Sequence, residues 1–222
     1  MPTQLEPNTV ASESSLRAAL LAAGTAIEAG RAGGFALVRP PGHHATPTSA
    51  FGFCLLNNVA IAARALQAEG AGRIAIVDYD VHHGNGTQDI FWDDDSVLYA
   101  SLHQVGIFPG TGGQYEQRET TINVPLSPGL GDREWLDALE TQIAPSIQAF
   151  EPDVLLVSAG FDAHEDEDLY LVDERVTEEG FRQLSRRVAA LAPRVAAVLE
   201  GGYNLETLPR LVSAALDGFA DG

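Results

Sequence analysis

Five short apolar runs, almost free of polar interruptions, restrict what this chain can fold into. They are GFALV (34–38), RIAIV (73–77), SVLYA (96–100), DVLLV (153–157) and RVAAVL (194–199). A strand with one wet face alternates apolar and polar residues. One covered on both faces does not, and it belongs to a parallel sheet with helices above and below. Helical periods fill most of the gaps: Asn57–Glu69, Asp132–Ala149, Thr177–Ala192 and about Leu205 to Phe219. An earlier amphipathic helix starts at Ser14 and is expected to stop at Gly30, and TINVPL (121–126) offers a further strand. The predicted architecture is α/β, a three-layer αβα sandwich around a mainly parallel sheet. No repeat, linker or low-complexity tract interrupts it, so one domain over 1–222 is expected, with the polar residues 1–12 frayed.

The balance of charges narrows the partners. Thirty-one acids against 13 bases, every base an arginine, give a formal net charge of −18. Such a surface repels nucleic-acid phosphates. It serves solubility, and it would also attract a cationic substrate such as a polyamine or a basic protein tail. The single cysteine, Cys54, cannot form an internal disulfide. With neither a leader-like segment nor an apolar run of membrane length, a cytoplasmic protein without membrane partners is expected.

The chemically capable residues share one location. PPGHHA, DYDVHHGNG, SLH, GFDAH and EGGYN each follow an apolar run. They therefore gather at the carboxyl edge of the predicted sheet, where open parallel sheets bind ligands. Asp78, Asp80 and His82 are spaced two apart, so in extended backbone they face one way. With Asp162 from another strand end they offer two carboxylates and an imidazole to a metal and leave a position for water, as in catalytic zinc sites. So oxygen-rich a set also suits ferrous iron or manganese. His43 and His44 in a Pro- and Gly-rich loop can supply general base and acid, with Asp78 and Asn85 as acceptors that orient them. Tyr203, after Gly201–Gly202, can swing a phenol toward a developing oxyanion; taken singly, it reads equally as a packed ring with a wet hydroxyl.

RPPGHHA, GFCLLNNVAIAA, IVDYDVHHGNGTQDIF, SLH…FPGTG, SAGFDAHEDE and LEGGYN, in that order, resemble the motif series of the histone deacetylase superfamily. The likeness is to its class II-like bacterial and archaeal members, which include acetylpolyamine amidohydrolases and acetoin-utilisation proteins, and it covers residues 34–219. It implies an arginase–deacetylase fold and a metal-dependent deacetylase acting on linear amides. It further implies zinc on Asp80, His82 and Asp162, a His43–Asp78 pair, a His44–Asn85 pair, and Tyr203 as oxyanion donor. Asn85 stands where some members carry aspartate, so His44 should be raised less in pKa than beside a carboxylate. The resemblance also implies a substrate tunnel between Phe53 and Phe108, with the Gly52 carbonyl and Gly202 near the substrate. An inner potassium site would be formed by Ser101 and the carbonyls of Asp78, Asp80, His82 and Leu102.

Family members carry a longer segment before the first helix. Its absence here implies either a fragment or a compact variant that covers the exposed strands and helix faces in another way, and the loss of a packed layer would favour a homo-oligomer. The substrate implied is an acetylated amine, either acetyl-lysine in protein or an acetylpolyamine. Two other readings remain: a non-catalytic acetyl-lysine-binding module, and an arginase-like ureohydrolase, which would want two metals.

Overall fold

The computed structural model describes residues 2–222. Its frame is a six-stranded, wholly parallel sheet. Eight strands and seven helices follow in chain order. An N-terminal hairpin pairs β1 (Thr3–Glu6) with β2 (Thr9–Ala11); α1 (Ser15–Ala32) leads into the two-residue edge strand β3 (Phe35–Ala36). Then come α2 (Asn58–Ala68), β4 (Ile74–Asp78), α3 (Asn85–Phe91), β5 (Val97–Gln104) and β6 (Thr121–Leu126). The chain closes with α4 (Asp132–Ala138), α5 (Ala144–Phe150), β7 (Val154–Ala159), α6 (Glu178–Ala189), β8 (Val195–Leu199) and α7 (Leu208–Ala220). A π-helical turn, Leu139–Ile143, joins α4 to α5 just ahead of Pro145, which has no N–H to donate to an α-helical bond.

Strand order is β3-β8-β7-β4-β5-β6. The chain winds outward from β4 through β5 to β6, crosses back to β7 on the other side of β4, and winds outward again. The order thus reverses between β4 and β7, and the carboxyl ends of those two strands flank the switch-point crevice.

Period-two alternation divides the buried strand residues between two cores. Ala75, Val77, Leu98, Ala100, Leu155 and Val157 pack under α4–α7 with Trp135, Phe161 and Phe181. Ile74, Ile76, Val97, Tyr99, Val154 and Leu156 pack under α1–α3 with Leu66 and Phe91. Both faces of the sheet are therefore dry, which is why its strands lack polar alternation.

Three expectations change. Residues 3–11, expected to be frayed, form a hairpin: β1 and β2 pair antiparallel around Pro7–Asn8, and buried Thr9 accepts a hydrogen bond from Phe53 N at 3.0 Å, while residue 1 lies outside the described residues. A polar composition hid this, because the segment is held by main-chain pairing and one docked hydroxyl. Gly30 does not end α1; Gly33, in the left-handed region at φ 70°, does. Gly30 is buried inside the helix, where a Cβ would press on Leu66 Cδ1 at 2.9 Å, so it serves close packing of α1 on α2. β3 is also shorter than the apolar run 34–38, since only Phe35 and Ala36 pair with β8. Leu16, Leu20 and Leu21 leave an exposed apolar patch on α1. Among the described residues no helix is long and apolar enough to cross a membrane.

Candidate metal centre and active site

β4 and β7 each release a carboxylate at the switch point. Asp80 lies two residues beyond β4 and Asp162 three beyond β7, and both are buried. His82 completes the group, its Nδ1 3.1 Å from Asp80 Oδ1 and 3.0 Å from Asp162 Oδ2. The three ligand atoms lie within 4.8 Å of one another. Backbone donors hold the carboxylates: Gly201 N donates to Asp80 Oδ2 at 2.7 Å and Val81 N to Asp162 Oδ1 at 3.0 Å. The walls are glycine by necessity, since a Cβ at Gly160 would run into Asp80, and one at Gly201 into Asp162. Two carboxylates and an imidazole in a cradle too tight for any side chain fit a divalent cation.

The electrostatics agree with that fit. Burial alone would push Asp162 up, and the neighbouring Asp80 charge adds to it, taking its carboxyl to about 6. Burial disfavours charge on His82, but the hydrogen bonds and charges of Asp162 and Asp80 outweigh it and raise His82 to about 10. Ligation requires neutral imidazole, so a cation entering this site displaces that proton.

The two loop histidines lie side by side with ring centroids 3.9 Å apart and planes tilted by 42°, yet their environments differ. His43 Nδ1 lies 3.1 Å from Asp78 Oδ2, a carboxylate that also accepts from Tyr99 Oη. Burial works against charge on His43, but Asp80, Asp78 and Glu200 outweigh it, and its pKa rises to about 10. His44 Nδ1 meets only the Asn85 amide oxygen, at 2.8 Å. Burial and the positive charge of its neighbours His43 and His82 push His44 well down. One imidazole is held charged and the other neutral, the separation that lets adjacent groups play acid and base.

A single cleft of about 220 Å³ joins these groups. Its lining includes His43, His44, Asp80, His82, Gly52, Phe53, Phe108 and Tyr203. Phe53 meets Tyr203 edge-on with centroids 5.9 Å apart. Phe108 stacks at 4.9 Å and 27° on Phe51, a support that no sequence pattern announced. Gly52 lies in the left-handed region at φ 52°, where a Cβ would press on His44 and Phe108. Gly202 stands behind the cleft, its carbonyl accepting from Arg39. Ser101 is buried beside Asp78 in the β4–β5 register, and its hydroxyl meets His103 Nδ1 at 2.8 Å, next to Leu102.

Sequence reasoning missed part of the rim. Asn8, Pro41, Leu169 and Tyr170 also line the cleft. Glu167 accepts from Tyr203 N at 3.1 Å and from Asn204 N at 3.2 Å, so it caps the tyrosine turn. Local pattern carries no signal for such contacts.

The chain matches the family model described as histone deacetylase domain over residues 2–219. It is 42% identical over 222 residues to a probable deacetylase of Archaeoglobus fulgidus, covering 90% of this chain and 61% of that one. It is 44% identical over 226 residues to histone deacetylase 15 of Arabidopsis thaliana, covering 94% and 41%. In structure it resembles the HDA15 HD domain, with TM-score 0.93, 41% identity and coverage of 97% and 65%. It also resembles acetylpolyamine aminohydrolase from Burkholderia pseudomallei, with TM-score 0.90, 34% identity and coverage of 97% and 66%. The chain thus spans less than two thirds of each of these relatives. On the match of nearly its whole length, it belongs to the histone deacetylase domain family.

Proposed function

We propose that this chain is one catalytic domain, a metal-dependent deacetylase that hydrolyses an N-acetyl amide to acetate and a free amine. The observation that carries the reading is convergence: the Asp80–His82–Asp162 group, the His43–His44 pair and Tyr203 all border one cleft. The substrate is an acetylated amine, either acetyl-lysine in protein or an acetylpolyamine.

Asp80, His82 and Asp162 would hold the metal, zinc or alternatively ferrous iron. When bound, it supplies Lewis acidity that polarises the acetyl carbonyl and acidifies water. His44, kept neutral, accepts a proton from the attacking water through Nε2, while Asn85 holds Nδ1 in place. His43, kept charged by Asp78 and its carboxylate neighbours, supports the negative charge that develops nearby. Tyr203 donates its hydroxyl to the tetrahedral oxyanion. The proton taken from water passes to the departing amine nitrogen as the C–N bond breaks. Phe53 and Phe108 flank the aliphatic stem, and the Gly52 carbonyl accepts the substrate amide N–H. Burial of Ser101 beside Asp78 supports a structural potassium site with Leu102 and the carbonyls of Asp78, Asp80 and His82.

The test is release of acetate from acetyl-lysine peptides and acetylpolyamines by metal-loaded protein, lost on chelation and in Asp162→Ala. Folded, metal-loaded protein with no turnover across a broad panel of acyl amines would sink the reading.

A further inference from the structure

Glu200 and Arg39 stand apart from the groups assigned above, yet they join the two loops that carry them. Glu200 follows β8 and is fully buried, with the charged His43 as its neighbour. Its Oε2 accepts from Gly42 N at 2.6 Å and from His43 N at 3.1 Å, and its Oε1 from Ser158 Oγ at 3.2 Å. Arg39, at the start of the histidine loop, makes the reverse contact. Its Nη1 donates to the Glu200 carbonyl and its Nη2 to the Gly202 carbonyl at 2.6 Å, while its guanidinium lies over the Tyr203 ring at 5.3 Å. The acid and the base do not form an ion pair. Each side chain instead grips the other loop's main chain.

A buried carboxylate is costly unless its oxygens are satisfied. Here three donors satisfy them, and two of those are the amides of Gly42 and His43 at the base of the histidine pair. Arg39 presents a planar fork, which can take two carbonyls at once where an ammonium would take one. Its two acceptors bracket Gly201, whose N–H holds Asp80, and lie just before Tyr203. Neither side chain lines the cleft, but each ties the loop that carries the imidazoles to the turn that carries the phenol. The spacing of imidazoles and phenol matters because both must meet one tetrahedral centre.

We propose that Arg39 and Glu200 form a reciprocal brace fixing the spacing between the His43–His44 loop and the Tyr203 turn, and so act as positioning residues. Their catalytic consequence rests on the deacetylase reading, whereas the brace itself does not.

The experiment is amide hydrogen exchange on peptides covering 40–46, 200–204 and, as reference, 74–78, with kcat and KM measured in parallel on an acetyl-lysine peptide. The proteins are the metal-loaded full chain and its Glu200→Gln, Glu200→Ala, Arg39→Gln and Arg39→Gln/Glu200→Ala variants. The expected result is exchange about tenfold faster in both loop segments of each single variant lacking the brace, with 74–78 unchanged. The double variant should be no faster than the worse single. In the same variants kcat should fall about 10–100-fold with KM within about threefold, and Glu200→Gln, which keeps the acceptor, should retain most of it. If Glu200→Ala does not fold, Arg39→Gln alone decides, since it leaves the buried carboxylate intact. Loosening confined to 200–204 in Arg39→Gln, additive effects in the double variant, or a Glu200→Gln protein as loose as Glu200→Ala would overturn the brace. Exchange as expected without turnover in any protein would support the brace and remove the deacetylase reading.

Discussion

The floor and the rim of the cleft are built by different means. Floor residues are buried: Asp80 and Asp162, two and three residues beyond β4 and β7, and His43 on its loop are at most 2% exposed. Rim residues hang on loops, with Phe53 at 50%, Tyr203 at 37% and Tyr170 at 89%. Of the three non-glycine residues with positive φ among those described, Phe53 at 68° lines the rim and Leu171 at 65° directly follows the rim residue Tyr170. Such backbone survives only where neighbours impose it, as Thr9 does by accepting from Phe53 N. The sheet edge therefore brings the metal-site carboxylates close together, while the rim depends on contacts between loops. Chemistry should be sensitive at the floor and substrate choice at the rim.

The sharpest break of that contrast is at the floor. Asp162→Ala should lose bound metal, read by elemental analysis, and lower turnover about a thousandfold or more, equivalent to several kcal/mol. Tyr203→Phe tests the one rim residue assigned to chemistry. Its metal content should stay normal while kcat falls about 100-fold at nearly constant KM. A larger change in KM than in kcat would move Tyr203 from chemistry to binding.

Phe53→Ala should behave as a pure rim change. It removes one apolar wall while keeping the Cβ at the left-handed position, so KM should rise about tenfold with kcat within about threefold. Competition between acetyl-lysine peptide and acetylpolyamine in this variant would show whether the rim selects between them.

The smallest effect expected is on stability. Burial pushes the Glu174 carboxyl up to about 7, against a hydrogen bond from Trp135 Nε1 at 3.2 Å. A raised folded-state pKa means that the native state holds the proton more tightly. The stabilisation is then complete below the ordinary carboxyl range near 4.5 and is lost as pH rises through about 7. Glu174→Gln, uncharged throughout, should remove a slope on the order of 1–2 kcal/mol between those limits, measured by denaturant titration. An unchanged slope would place the proton uptake elsewhere.

The floor was legible in advance because its residues sit within a few positions of strand ends. DYDVHH and GFD follow apolar runs, so periodicity alone places Asp80, His82 and Asp162 on one edge. The paired histidines were legible because their Pro- and Gly-rich loop follows the apolar run 34–38, although the strand itself ends at Ala36. What escaped was whatever depended on two loops meeting. Residues 1–12 read as frayed because nothing local reveals that Thr9 docks on Phe53, and Gly30 read as a stop because nothing local reveals Leu66 above it.

By itself the sequence determined the layered α/β fold and which side chains reach the carboxyl edge, since both follow from short-range periodicity of apolar burial. Only tertiary structure decided the switch point between β4 and β7, the contrasting charge states of His43 and His44, and the bonds that cross from Arg39 to Glu200 over 161 residues. Strand order, electrostatic neighbours and side-chain grips on distant main chain are set by three-dimensional proximity, which leaves no periodic trace along the chain.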